Sequence, residues 1–302
     1  MGFTRNRFGG LTLAVPILAT VAGFSYQPRC AFSQAPAAVT APALPAAAMA
    51  PLRFDLLDQH LIVVRGSIGP LDGLKLLIDT GSNPTMVDRR VAKKLALAVQ
   101  GGKVIAFGQE SDSLTAVLPG IRLGSLHAGA IPAAVGDLSY LHGVDAVIGL
   151  DVLSRSSFSI DYEKRAIVFG PMAERQPSVL LEVTPPFLTV QLAISGRPVR
   201  LLVDTGSRRL VLFERRVHDR LPPLSQHGEL LMYHFSGMSR LNRVFLTLVE
   251  IGTATFNRVE GFMSDTHLDG YPSGIDGVLG LRALASKRVD FDFERGRLAF
   301  DR

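Results

Sequence analysis

Apolar residues recur along this chain in short runs, and each run is bounded by glycine, proline or a polar cluster. Leu61-Ile62-Val63-Val64, Leu76-Leu77-Ile78, Leu188 to Leu192 and Leu201-Leu202-Val203 are examples. Runs of that length between breakers predict strands. Helical spacing shows in two places only. Val91 with Leu95, and Val217 with Leu221, place apolar side chains at i and i+4 among charged neighbours. Each pair predicts one short amphipathic helix. The tracts 108–113 and 236–239 are rich in glycine and serine and predict turns between extended segments. The pattern is that of a mainly β protein.

The N-terminus reads differently. Arg5 and Arg7 form a basic start, Leu11 to Ala22 a short apolar run, and Ala31-Phe32-Ser33 a small-residue cleavage site. This order predicts a signal peptide over residues 1–33. The apolar run is short of the ~20 residues that a membrane span needs. Cys30, the single cysteine, is expected to leave with that segment, so no disulfide is expected in the mature chain. Residues 34–50 are rich in alanine and proline and predict a flexible linker. Nothing further along is apolar for long enough to cross a bilayer. The expected location is the periplasm or the medium, with no stable membrane span after signal removal.

Composition adds little beyond a packed core: 47% of the 302 residues are hydrophobic and 20% are charged. The formal charge of +5 includes Arg5, Arg7 and Arg29, with no acid before residue 34, so the mature chain carries +2. That balance gives no reason to invoke nucleic acid or an anionic membrane.

Comparison of the two halves is more informative. Leu76-Leu77-Ile78-Asp79-Thr80-Gly81-Ser82 returns as Leu201-Leu202-Val203-Asp204-Thr205-Gly206-Ser207, at an offset of 125 residues. Asp145-Ala146-Val147-Ile148-Gly149-Leu150 returns as Asp276-Gly277-Val278-Leu279-Gly280-Leu281, at an offset of 131. At that same offset, Asp161 to Phe169 matches Asp292 to Phe300, both predicting a closing hairpin with a charged turn. The matches keep their order, which predicts two lobes of one fold, over residues 51–172 and 179–302. The proline-flanked stretch 171–177 is the expected join.

Two aspartates in such a repeat suit one chemistry well. Facing carboxylates cannot both ionise easily, so one loses its proton early and the other late. The ionised member can take a proton from water while the protonated member donates to a carbonyl oxygen. The pair titrates as a unit, so roles are not assigned to Asp79 or Asp204 individually. Gly81 and Gly206 would let the lobes approach, Thr80 and Thr205 would hydrogen-bond across the dyad, and Ser82 and Ser207 would donate to the carboxylates. Asp145 and Asp276 are expected to serve as turn or hydrogen-bonding residues.

The two Asp-Thr-Gly-Ser motifs, each with a downstream apolar-apolar-Gly, resemble the pepsin and retropepsin aspartic proteases, in a two-lobed bacterial form. The resemblance implies two tandem β-barrel lobes with pseudo-twofold symmetry and a substrate cleft between them. It implies a catalytic dyad of Asp79 and Asp204, and a chain passing beneath each active loop at 147–149 and 278–280. The implied activity is that of an exported aspartic endopeptidase with a peptide or protein substrate and no cofactor. The lobes are shorter than those of pepsins, and the candidate flap at 107–114 lacks the tyrosine that pepsins place there. Arg208 and Arg209, directly after the second motif, would lower the dyad's pKa values, recruit acidic substrate groups, or simply face solvent.

Two readings compete with peptidase activity. An inactive relative would use the cleft to bind peptides or to assist assembly. A metal-dependent hydrolase would need a ligand pattern, and the seven histidines show neither HExxH nor any comparable spacing. No metal is therefore expected. The serine-hydrolase, P-loop and dinucleotide signatures are also missing from the sequence. Because one chain supplies both carboxylates, a monomer is expected.

Overall fold

The structure is a computed structural model, and it describes residues 19–20, 50–106, 109–184, 186–234, 237–265 and 270–301. Most of the expected signal peptide and linker, with Cys30, lies outside the described residues; Ala19–Thr20 pairs antiparallel with Ile105 and Ala106. Among the described residues no helix is long and apolar enough to cross a membrane.

Each half starts as an antiparallel meander. In the first, Leu52–Leu57, Leu61–Ile68 and Leu71–Ile78 follow one another with short turns. In the second, Ser178–Thr184, Phe187–Ile194 and Arg197–Asp204 do the same. The third strand of each meander delivers the Asp-Thr-Gly motif at its end. Its last apolar residues, Leu76 to Ile78 and Leu201 to Val203, are all buried. Burial on both faces fits continuous apolar runs better than alternation.

The second repeat motif lies alongside the first. Ala146–Ile148 runs parallel to residues 76–78 and antiparallel to 86–87. Gly277–Gly280 runs parallel to 201–204 and antiparallel to 210–212. The expected helices are present as Arg89–Lys94 and Glu214–Val217, each burying its valine. The Leu221 amide donates to the Val217 carbonyl at 2.9 Å, which continues the second helical turn to the predicted leucine.

Two hairpins project from the lobes. Gln100–Ala106 pairs with Gln109–Leu118, and Gln226–His234 pairs with Gly237–Ile251. The turns expected at 108–113 and 236–239 are therefore corrected. Residues 109–113 and 237–239 are extended, because Ala106 pairs with Gln109 and His234 with Gly237, which leaves two residues to each connection. The polar tract from Ser111 to Ser113 marks a half-exposed strand face and not a turn. The connecting residues 107–108 and 235–236, including the first two residues of the candidate flap, lie outside the described residues.

The closing hairpins join the halves. One sheet runs in the order Leu52–Leu57, Ala166–Phe169, Phe158–Asp161, Arg288–Asp292, Arg297–Asp301, Ser178–Thr184, with every neighbour antiparallel. At its centre Phe158 stacks on Phe291 with ring centroids 4.6 Å apart, and both rings are fully buried. Residues 171–177 between the halves carry no helix or strand. The fold is two tandem β lobes on a shared sheet, with the two Asp-Thr-Gly turns facing each other.

Candidate active site

Asp79 and Asp204 are each fully buried at the end of a strand. The turn that follows is held from within and from across. The Gly81 amide donates to Asp79 Oδ1 at 2.9 Å. The amides of Gly206 and Ser207 donate to Asp204 Oδ1 at 2.7 and 3.1 Å. Thr80 and Thr205 exchange four bonds between the lobes. Thr80 Oγ1 donates to the Val203 carbonyl at 2.8 Å and accepts from the Thr205 amide at 3.1 Å. Thr205 Oγ1 donates to the Ile78 carbonyl at 2.9 Å and accepts from the Thr80 amide at 3.0 Å. A hydroxyl can do this because it is donor and acceptor at once.

The glycines record how close the two turns come. A Cβ on Gly81 would lie 2.6 Å from Asp204 Cγ, and one on Gly206 would lie 2.8 Å from Asp79 Cγ. Each carboxylate therefore packs against the bare backbone of the opposite motif. Gly149 and Gly280 serve the layer beneath. Added Cβ atoms there would sit 2.5 Å from the carbonyl oxygens of Ser82 and Ser207 respectively.

The electrostatics follow from this burial. Burial first, then the charge of Asp204, hold Asp79 well above the ordinary carboxylate range. Burial also raises Asp204, opposed by its bond to Asp79 and by the Gly206 and Ser207 amides. On each aspartate the amide donors favour the ionised form and oppose burial. The pair still titrates as a unit. Apart from each other, Asp79 Oδ2 and Asp204 Oδ2 have no hydrogen-bond partner among the described residues.

Two expected contacts are corrected. The Ser82 hydroxyl donates to the Pro84 carbonyl at 3.2 Å, and the Ser207 hydroxyl to the Arg209 carbonyl at 3.4 Å. Neither reaches a carboxylate, because the tight turn carries both side chains away from it. Ser207 supplies its backbone amide instead. Asp145 and Asp276 hold the supporting layer: their Oδ2 atoms accept the amides of Lys75 and Arg200, each at 2.9 Å. Among the described residues no group of three or more His, Cys, Asp or Glu is placed to hold a metal ion.

Sequence reasoning missed a pair of tyrosines. Tyr140 and Tyr271 are separated by the same 131 residues as the second motif and stand five residues before Asp145 and Asp276. Both hydroxyls are buried without a hydrogen-bond partner among the described residues. Burial, then the charge of Asp79, raises Tyr140; burial, then Asp204, raises Tyr271. One tyrosine per lobe therefore feels the charge of the aspartate of its own lobe. The shared offset was the signal that could have found them.

Comparison with known proteins agrees with this geometry. The family model described as "Aspartyl protease" matches residues 64–152 and 190–283, which together make up more than half of the chain. Among solved structures, the chain is similar to a retropepsin-like aspartic protease from Rickettsia conorii. The identity is 18%, over 40% of this chain and 89% of that one, with a TM-score of 0.31. No curated protein matches.

Proposed function

Because the chain belongs to the aspartyl protease family, we propose that it is an endopeptidase in which Asp79 and Asp204 activate water against a peptide carbonyl. The observation that carries this reading is the reciprocal packing of Gly81 on Asp204 and Gly206 on Asp79, which brings the carboxylates face to face. Burial and mutual repulsion keep one proton on the pair above the ordinary carboxylate range. The ionised carboxylate takes a proton from water as that water attacks, and the protonated one donates to the carbonyl oxygen. The Oδ2 atoms are the ones left for these transfers, since the Oδ1 atoms are engaged by amides. The threonine bonds hold the two carboxylates in one geometry through the reaction.

The N-terminal pattern supports export to the periplasm or medium with cleavage near residue 33, and the presence of both aspartates on one chain supports action as a monomer. The test of activity is cleavage of a diverse peptide library by the purified protein, read by mass spectrometry. Asp79→Asn and Asp204→Asn should each abolish it, and a chelator should not. Peptide binding that persists in both variants, with no cleavage by the parent protein, would favour the inactive binder instead. N-terminal sequencing of the exported protein tests the cleavage site.

A further inference from the structure

Beside the second active turn lies a cavity of about 230 Å³, built from both lobes. His60 enters from the first hairpin turn of the N-terminal half; Arg208, Arg209, Glu260, Phe262 and Arg282 come from the C-terminal half. Arg208 follows Ser207, whose amide is 3.1 Å from Asp204 Oδ1. Standard backbone dimensions therefore place the Arg208 Cα within about 8 Å of that oxygen. Arg208 therefore ties the wall of the cavity to the turn that holds Asp204.

Its arginines outnumber its acids. Among the described residues, no carboxylate pairs with Arg208, Arg209 or Arg282. Arg209 lies over the Phe262 ring at 4.5 Å, and its Nε is buried without a hydrogen-bond partner. Arg282 lies over the Tyr162 ring at 4.7 Å. Glu260, the one acid in the wall, is paired with Arg243 at 3.2 Å. His60 is buried, with Nδ1 on the Asp58 carbonyl at 2.8 Å and Nε2 unpartnered. Arginine does not escape such crowding by losing its proton, and all three are half-exposed, so an anion from solvent or substrate can reach them and offset it. Burial, then the charge of Arg208, lower Arg209, opposed by the charge of Glu260.

The pseudo-equivalent end of the cleft is built differently. At the repeat offsets, Arg208, Arg209 and Arg282 correspond to Asn83, Pro84 and Asp151. Asn83 Nδ2 donates to the Pro186 carbonyl across the lobes at 3.4 Å. The Asp151 carboxylate accepts from Thr85 N and Oγ1 at 3.0 and 2.8 Å. One set holds three arginines with no carboxylate partner among the described residues, while the other holds no arginine at the equivalent positions and has its polar groups engaged, Arg155 donating to the Asp151 carbonyl at 3.0 Å. In a cleft of near twofold symmetry an extended peptide fits in either direction, so a difference between the ends selects one.

We propose that Arg208, with Arg209 and Arg282, forms a carboxylate-binding subsite that selects peptides carrying Asp or Glu on one side of the scissile bond and thereby fixes their direction in the cleft. The inference rests on the peptidase reading above. With ~3.3 Å per extended residue, the acidic side chain would fall about two to three residues from the cleaved bond.

The test uses one cleavable peptide core with Glu, Asp, Gln or Lys scanned over the three positions on either side, each peptide made with a free and an amidated C-terminus. At one position, on one side only, Glu should exceed Gln in kcat/KM by about 10- to 100-fold, the range of a charge-assisted bond. Arg208→Ala should collapse that ratio toward one, and Arg208→Glu should turn it toward Lys. Arg282→Gln, further from the turn, should lower the ratio as well. The same peptides, bound to the Asp79→Asn variant and followed by fluorescence anisotropy, separate the two failures. An acidic preference in binding with no cleavage by the parent protein would retain the subsite and overturn the peptidase reading. Cleavage with equal rates for Glu and Gln at every position would overturn the subsite and retain the peptidase. A preference that appears only with a free C-terminus would overturn the side-chain assignment in favour of the chain end.

Discussion

Replacing Gly81 by alanine would add one methyl group against the opposite carboxylate. That Cβ would lie 2.6 Å from Asp204 Cγ, 2.8 Å from Oδ1 and 2.9 Å from Oδ2. Non-bonded carbons rest about 3.5–4.0 Å apart, so roughly 1 Å of overlap must be absorbed. Asp204 cannot simply swing away, because the Gly206 and Ser207 amides hold its Oδ1. The backbone at Gly81 is not in the left-handed region, so the cost is overpacking and not strain in φ. Overpacking of this kind costs about 1–3 kcal/mol. At roughly 2–4 °C per kcal/mol for a chain of this size, Tm should fall by about 2–12 °C. Activity should suffer more, since a ~1 Å misplacement of reacting groups costs about 100-fold. Gly206→Ala should behave alike, because its Cβ meets Asp79 in the same way. Gly129→Ala is the control, as a Cβ there meets nothing within 4 Å. Peptide cleavage and thermal unfolding are measured on all three. Parent-like kcat/KM and Tm in Gly81→Ala would refute the claim that the two turns face each other this closely.

Three further outcomes are expected. Thr80→Val leaves the Val203 carbonyl and the Thr205 amide unpaired in the core, at about 1–3 kcal/mol each, while Thr80→Ser keeps both bonds; denaturant unfolding compares them. Tyr140→Phe and Tyr271→Phe remove buried hydroxyls that have no partner, so thermal unfolding should show no loss of stability, and a shift in the pH–rate profile would place a phenol at the reacting groups. The dyad should also shape stability against pH. Its raised pKa means the folded state keeps a proton that the unfolded chain releases near pH 4. That contribution is full below about pH 4 and is lost as pH rises through the folded value, so Asp204→Asn should gain on the parent protein between about pH 4 and 7 in chemical denaturation.

The sequence revealed most where chemistry demands the same residues twice. Asp79 and Asp204, with their threonines and glycines, stood out because a paired site needs two copies of one turn. The supporting strands at 146–148 and 277–280 were legible for the same reason. The sheet that joins the lobes was not, because apolar alternation identifies a strand but not its partner. Nothing local in Phe158 or Phe291 says that they stack on each other. The hairpin turns were misplaced because serine and aspartate favour turns and exposed strand faces alike, and Ser111 to Ser113 occupy the latter. The serine hydroxyls were misdirected because their aim depends on the path of a tight turn. The arginines after the second motif were visible, but only the fold shows that they share one cavity with Arg282 and His60.

The measurement that tests the central claim most directly is cleavage of a diverse peptide library from about pH 3 to pH 7, with chelator present, by the parent protein and by Asp79→Asn and Asp204→Asn. Cleavage by the parent protein that vanishes in both variants is the expected result. Cleavage that survives either substitution would contradict a mechanism that needs both carboxylates.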